Sequence, residues 1–434
     1  MKYFRPKGTR DILPPESYKK YWIEETFRKT VSKYGFVEIT TPVFEHTELF
    51  LRSIGESTDI VTKQMYTFTD QGERSLTLRP EGTPGVVRTI IENGVKLPGR
   101  FFYIEPMYRY ERPQKGRYRE FYQLGIEVIG EASPEIDAEV IEIGAQFFSA
   151  IGIKDCSIQI NSVGCPECRP KFRQELVNFL SDKKDKICED CKIRLEKNPL
   201  RVFDCKNENC QEIYEHAPKV RPSLCRNCYE HFLSVTKALD EREIDYTFND
   251  RMVRGLDYYT KTAFEFISSR LGAQDSLGGG GRYDDLVEEL RGHEIRLPRF
   301  DKIKDKFITE QPIRPQTPAI GFALGEERIL IVAEPPKDVI QPKLISIIYF
   351  SEKELSYAKE LASELRQAEI SVYINYDLKK LRTQLSYADT LKAQFAIIIG
   401  EDEIAKGVLT LRDMESGEQQ NIPRNEIVKK LADR

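Results

Sequence analysis

Two strand-like runs, Arg100–Arg112 and Arg119–Gly130, are separated only by the loop PQKGRY, so they can pair only as antiparallel neighbours in a hairpin. Strand alternation then assigns faces. Glu105, Arg109 and Glu111 share one face of the first run, and Gln123, Gly125 and Glu127 share one face of the second. Both runs are otherwise rich in apolar and aromatic residues, which predicts burial. A buried face carrying these charges costs desolvation free energy unless its groups pair internally or meet a polar ligand. An internal salt-bridge network is the bland reading and a polar ligand floor the functional one, and the second is favoured. The connecting loop adds Arg112, Lys115, Arg117 and Arg119, a cluster suited to a phosphate-rich ligand or a nucleic-acid end, although charge runs are often merely solvated.

The rest of the chain sets this hairpin in a larger frame. At 434 residues, the prior of ~150 per domain gives about three domains, and 40% hydrophobic content is enough for each to have a core. A helix is predicted from Glu16 to Tyr34, and a strand over Phe36–Glu45 interrupted by Pro42. Ser75–Leu78 reads as a strand, followed by a helix with Thr83 as N-cap, Pro84 at the first helical position and Gly94 at its stop. Ile136, Val140, Ile143 and Phe147 mark one face of another helix. The polar, proline-punctuated stretch 292–316 reads as an inserted surface loop. From Leu344 onward strands and helices alternate, predicting a small α/β domain with a largely parallel sheet.

Charge and hydropathy exclude several classes. Lys+Arg 66 against Asp+Glu 70 leaves a net charge of -4, so a bound polyanion must be held by local clusters, and a histone-like coat is excluded. The first residues lack the apolar core of a signal peptide, and no apolar run reaches the ~18 residues of a membrane span, so a soluble, cytoplasmic protein is expected.

Three further segments carry chemistry-bearing residues. RGLDYYT (Arg254–Thr260) combines a cation, a carboxylate and two tyrosines that can line a pocket, although core tyrosine is the commoner meaning. LGGGGRYD (Leu277–Asp284) has four consecutive glycines that permit close backbone approach to a ligand. It fits neither G-x-G-x-x-G nor the phosphate-loop pattern, so a dinucleotide fold and a P-loop are excluded. In PAIGFALGEERILIV, Arg328 opens a helix after a glycine-punctuated strand, a position that alone reads as a surface arginine.

KGTRDILP, the Pro42-bearing strand, TLRPEGT, MYRYERPQKGRYREFYQLGIE, RGLDYYTKTAFEF, LGGGGRYDDLVEEL and GFALGEERIL, in that order, resemble the successive motifs of the histidyl-tRNA synthetases, a class II aminoacyl-tRNA synthetase family. The resemblance covers nearly the whole chain. It implies a multidomain α/β and α+β fold: a catalytic core on an antiparallel sheet (1–159 and 247–333), an inserted, mostly helical cysteine-rich domain (160–246) and a C-terminal α/β anticodon-binding domain (343–434). The implied activity is ATP-dependent attachment of L-histidine to tRNA(His), with magnesium accompanying ATP, in a homodimer that uses neither membrane nor DNA.

The resemblance also implies roles. Arg109 corresponds to the arginine at the ATP α-phosphate and the amino-acid carboxylate, Glu111 lies on the adenine side, and Arg328 corresponds to the arginine at the outer phosphates. Glu81 and Thr83 hold the α-amino group, with Gly82 counted in the histidine site, and Gln123, Glu127, Tyr258 and Tyr259 shape the amino-acid pocket, with Glu127 and Tyr259 reading the imidazole. Arg254 corresponds to an extra active-site arginine. The main rival is the synthetase-like, histidine-sensing regulatory subunit of ATP phosphoribosyltransferase, which lacks the anticodon domain and the RGLDYY element. Other class II synthetases and an RNA-binding zinc module explain less of the chain. The last domain, with 14 Lys+Arg and 15 Asp+Glu, shows no basic patch for RNA.

Eight of the nine cysteines depart from what that family requires. Cys165-x₂-Cys168, Cys188-x₂-Cys191, Cys205-x₄-Cys210 and Cys225-x₂-Cys228 are knuckle-like pairs, enough for two structural Cys₄ zinc sites whose pairing spacing leaves open. Free thiols and disulfides are the alternatives. His216 and His231 could replace a thiolate, although a lone histidine there is more often solvated, and Cys156 lies outside the set.

Overall fold

The hairpin forms with Gly99–Tyr108 antiparallel to Glu120–Ile129, setting Glu105 opposite Gln123 and Tyr103 opposite Gly125. Arg109 N–H still bonds the Arg119 carbonyl across the hairpin at 2.9 Å, and the pairing stops after it, where Tyr110 N–H turns to the Gln64 carbonyl at 2.7 Å. The computed structural model describes residues 3–55, 58–205, 207–252, 256–272, 275–292, 299–301, 306–308, 316–340, 343–377 and 380–432.

Two compact units divide the chain, Met1–Pro335 and Pro336–Arg434. In the first, the hairpin belongs to an eight-stranded sheet ordered Val37–Glu38, Gly99–Tyr108, Glu120–Ile129, Ala319–Gly325, Ser276–Arg282, Thr260–Ser268, Cys156–Ser162, Thr247–Phe248. The interior pairings are antiparallel, and only the two short outermost strands pair parallel. Strand alternation decides what each face does. Leu124, Ile126 and Val128 join Phe27 and Val31 of helix Glu16–Ser32 and Phe147 of helix Pro134–Ala150 in the main core. Phe27 and Phe147 meet edge-on at 5.1 Å. Gln123, Gly125 and Glu127 therefore face the other way.

The run predicted as one strand over Phe36–Glu45 splits in two. Val37–Glu38 joins the large sheet, and Phe44–His46 joins a three-stranded sheet with Ser75–Leu78 at its centre. Between them the N–H and hydroxyl of Thr41, just before Pro42, donate to Glu105 instead of continuing a ladder. The helix expected to be capped by Thr83 begins at Thr83 with Gly82 as N-cap, and the Thr83 hydroxyl is used elsewhere. Within the predicted surface loop, Arg299–Asp301 and Lys306–Ile308 pair as a short antiparallel hairpin, too brief for a period to register in the sequence; 293–298, 302–305 and 309–315 lie outside the described residues.

The second unit has a five-stranded sheet ordered Ser371–Ile374, Leu344–Tyr349, Phe395–Ile399, Val408–Asp413, Gln419–Pro423. Its sheet is mixed rather than largely parallel. The first three strands run parallel and the last two antiparallel, because only the short helix Glu401–Lys406 separates Ile399 from Val408, whereas a parallel crossover needs about a dozen residues or more. Neither that helix nor the final strand was predicted. In QQNIP only Ile422 is buried, which leaves no apolar run to read.

Candidate functional site

The sheet face opposite the Phe27 core opens into a cavity of about 180 Å³. Gln123 and Glu127 form part of its floor; Glu81, Thr83, Arg109, Tyr258 and Tyr259 wall it. These side chains reach one place from four separate segments of sequence. Tyr258 and Tyr259 have ring centroids 4.8 Å apart, and the Tyr258 hydroxyl donates to Glu81 Oε2 at 3.0 Å.

Glu127 is fully buried and accepts hydrogen bonds from the Thr83 hydroxyl at 2.7 Å and from the Tyr283 hydroxyl. Burial pushes its carboxyl up to about 8, opposed by those hydroxyls and reinforced by nearby Glu81. Burial also pushes Glu81 up to about 7, against the Arg109 charge and the Tyr258 hydroxyl. Two buried oxygens of this wall, Glu81 Oε1 and Gln123 Oε1, have no hydrogen-bond partner among the described residues. Buried polar atoms are rarely left unpaired, so the cavity fits a ligand that supplies donors.

Backbone space is arranged around the same carboxylate. A Cβ on Gly321 would stand 2.0 Å from Glu127 Oε2, so only glycine fits beneath it. Gly82 does not line the cavity, and a Cβ there would meet the Tyr103 ring at 2.5 Å. The four-glycine run was expected to approach a ligand closely, yet only Gly279 lines the cavity. The missing side chains of Gly280 and Gly281 admit the neighbouring strands: their Cβ atoms would meet Gly321 O at 1.9 Å and Thr262 O at 2.5 Å. Tyr283, two positions past that run, was missed as a site residue. Its signal was the aromatic directly after the glycine-rich strand.

A cationic group adjoins the cavity at the hairpin tip. Arg109 donates through Nε to the Pro80 carbonyl at 2.8 Å and lies 5.2 Å from the Phe121 ring. Glu111 is within ion-pair range of Arg109 at 3.9 Å and of Arg117 at 3.5 Å. Arg328 donates to the Ser276 carbonyl; burial, then the charge of Arg117, hold it below the usual arginine range, with Arg109 adding to the effect. Three arginines this close, with Glu111 between two of them, suit a polyanionic ligand. Glu105 turns out otherwise: buried against Arg79 at 2.7 Å and bonded by Thr41, it is the internal salt bridge of the bland reading. Arg254 lies outside the described residues.

The cysteines gather into two sets, Cys165, Cys168, Cys225 and Cys228, and Cys188, Cys191, Cys205 and Cys210, with the sulfurs of each set within 4.8 Å of one another. Cys165 Sγ lies 3.6 Å from Cys168 Sγ and 3.9 Å from Cys225 Sγ, and Cys188 Sγ lies 3.7 Å from Cys205 Sγ. A tetrahedral zinc with ~2.3 Å bonds sets sulfurs about 3.8 Å apart, whereas a disulfide needs ~2.05 Å. Backbone donors complete the arrangement: Cys225 N–H points to Cys168 Sγ at 3.1 Å and Cys188 N–H to Cys210 Sγ at 3.2 Å. The residues fit a thiophilic divalent metal. His231 is neither a metal ligand nor solvated, since it is buried with Nε2 2.8 Å from Asp137 Oδ2, and that aspartate in turn pairs with buried Arg282. No helix of the described residues is long and apolar enough to cross a membrane.

Comparison with known proteins agrees with this geometry. Residues 8–329 match the family model for histidyl-tRNA synthetase, and 344–434 match that for an anticodon binding domain. The histidine--tRNA ligase of Desulforamulus reducens is 44% identical over 430 residues, covering 98% of this chain and 97% of that one. The ligase of Acetivibrio thermocellus is 45% identical, covering 98% of each. Apo histidyl-tRNA synthetase of S. aureus superposes with a TM-score of 0.76 at 32% identity, over 99% of this chain and 100% of that one. A Bacillus halodurans structure described as an ATP phosphoribosyltransferase regulatory subunit/histidyl-tRNA synthetase, at 20% identity, TM-score 0.65 and coverage of 92% and 98%, shares the fold. The match of residues 8–329 to that family model, and relatives 44–45% identical over 98% of the chain, place this chain in the histidyl-tRNA synthetase family.

Proposed function

We propose that the cavity binds L-histidine and the arginine cluster binds ATP, and that the chain forms histidyl-adenylate and passes the histidyl group to tRNA(His). The observation that carries this is the pairing of an under-bonded polar cavity with an adjoining cationic group, both reached by Arg109. In activation, a histidine carboxylate oxygen forms a bond to the α-phosphorus while the α–β bridging bond breaks and pyrophosphate leaves. The tRNA terminal ribose hydroxyl then attacks the acyl carbon, and AMP departs.

Arg109 holds the α-phosphate and the attacking carboxylate together, and Arg328 neutralises the departing phosphates. The planar guanidinium suits two-point binding of phosphate oxygens better than an ammonium. Glu111 lies on the adenine side, and magnesium arrives with ATP as part of the substrate. Glu81, with Thr83 beside it, receives the α-ammonium, which supplies the donors that Glu81 Oε1 lacks, while Gly82, off the cavity, leaves room for the Tyr103 ring. Gln123 and Tyr258 shape the pocket, while Glu127 and Tyr259 read the imidazole. Arg254 is assigned to the reacting centre on the family pattern alone.

Each cysteine set holds one structural zinc, whose part is to fix the fold of 160–246 between the two parts of the catalytic core, 1–159 and 247–333. The module 343–434 takes the anticodon arm, and the chain works as a cytoplasmic homodimer. Histidine-dependent ATP–pyrophosphate exchange and charging of tRNA(His) test the assignment. Histidine binding with neither exchange nor charging would support the regulatory-subunit reading instead.

A further inference from the structure

Asp257 lies between the tyrosine wall of the cavity and the cysteine-rich insertion. Arg201 Nη2 donates to its Oδ1 at 3.0 Å and Asn198 Nδ2 to the same oxygen at 3.3 Å. Arg169 Nη1 donates to its backbone carbonyl at 3.3 Å. These arms originate at the cysteine sets: Arg169 directly follows Cys168, and Asn198 and Arg201 lie on the short stretch between Cys191 and Cys205. From the other side, Asp257 N–H bonds the Ile54 carbonyl at 3.3 Å, and the carboxylate fills the space left by Gly55, where a Cβ would stand 2.5 Å from Oδ2.

A second cavity of about 50 Å³ lies between insertion and core, lined by Asn198, Arg201 and Asp257 among others. Leu256 and Tyr259 line both this cavity and the larger one. The insertion thus braces the back of a wall whose front faces the ligand. No cysteine of either set lines the larger cavity, so the sets reach it through intervening residues: these arms, and the backbone pairing of Val163 and Gly164 with Lys261 at 2.8 and 2.9 Å.

We propose that Arg201, Asn198 and Arg169 are positioning residues for the amino-acid pocket. Through them the two metal clusters hold Asp257, and Asp257 sets the placement of Tyr258 and Tyr259. This rests on the histidine site proposed above. An arm anchored within a few residues of a tetrahedral metal centre has little freedom to drift, and small displacements of a binding wall are costly for ligand affinity.

The test uses the full-length, metal-loaded protein with Arg201→Ala, Arg201→Lys and Asp257→Asn, read by pyrophosphate exchange and by metal content. Arg201→Ala should raise the histidine KM on the order of tenfold with the ATP KM within about twofold and metal content equal to wild type, while Arg201→Lys recovers most of the loss. Equal shifts in both KM values, or no shift, overturn the proposal. If Arg201→Ala does not fold, Asn198→Ala removes the longer bond and is read the same way. Chelating the wild type should also speed amide exchange at Leu256–Tyr259, and unchanged exchange there counts against the clamp. A wild type with no histidine-dependent exchange defeats the assigned function instead, and the amide measurement still judges the clamp.

Discussion

Thr83 and Glu127, 44 positions apart, are joined by a 2.7 Å hydrogen bond that ties the first residue of a helix to a β-strand of the large sheet. The hydroxyl that would otherwise cap the helix is spent on orienting a buried carboxylate. Glu127 is thereby fixed by Thr83 and Tyr283 from two directions, above a glycine that leaves it room.

Glu127→Gln should weaken histidine by ~10- to 100-fold, the loss of a hydrogen bond to a charged or ionisable group, and leave ATP affinity nearly unchanged. Titration calorimetry with each ligand measures both. Equal losses for the two ligands would make Glu127 a structural residue only.

Histidine binding near pH 7 should release protons. In the empty site burial holds Glu81 and Glu127 up to about 7 and about 8, so both carry substantial proton occupancy at neutral pH. A cationic ammonium beside Glu81 favours its ionised form and expels a proton. The observed binding enthalpy should therefore vary with the ionisation enthalpy of the buffer, with a sign corresponding to release. Proton uptake would contradict the placement of the ammonium.

The same shifts make the empty protein less stable as pH rises. A carboxyl with a raised folded-state value binds more protons folded than unfolded between its two values, so ν_U − ν_N is negative and unfolding free energy falls with pH in that window. For Glu127 the window runs from its ordinary value of 4.5 to about 8, with an upper slope of ~1.4 kcal/mol per pH unit. Glu127→Gln should flatten this dependence in denaturant titrations, and an unaltered slope would show that Glu127 is not its source.

Arg328→Ala should lower the exchange rate by ~10²- to 10³-fold, about 2.7–4 kcal/mol by analogy with removal of one preorganised donor. Arg254→Ala, at a position assigned by the family pattern, should abolish exchange while histidine and ATP still bind. Stopped-flow measurement of adenylate formation separates the step from binding. Near-normal formation in either variant removes that arginine from the reacting centre.

Two metal ions per chain are expected by elemental analysis of protein never exposed to chelator. Their removal should expose the thiols of both sets to alkylation and lower the melting temperature of the insertion. Cys156 lies outside both sets and should alkylate at the same rate with and without metal.

Much of the large sheet was legible because antiparallel strands carry a local period. The short loop PQKGRY forced the hairpin, and alternation put Gln123 and Glu127 on one face, where the structure has them lining one cavity. The same alternation grouped Glu105 with them, and there it failed as a guide to function. Register sets Glu105 beside Gln123, but Arg79 and Thr41, from distant segments, neutralise it. Sequence order carries no record of which partner arrives from elsewhere.

The cysteine pairs divide in the same way. Their spacing by itself determined that two four-thiolate sites were available, since each knuckle brings two sulfurs to one turn of chain. Which knuckles combine was decided by tertiary structure: helix Arg226–Glu241 packs against Pro134–Ala150 and returns Cys225 and Cys228 to Cys165 and Cys168, although the whole second set lies between them in sequence. Likewise the motifs determined which polar and charged side chains were available to the site. Only the folded chain decided that Tyr283 joins Glu127, that Glu105 does not, and that Asp257 connects the pocket to the insertion. Local geometry is written in neighbouring residues, whereas burial and charge partners are set by packing between segments far apart in sequence.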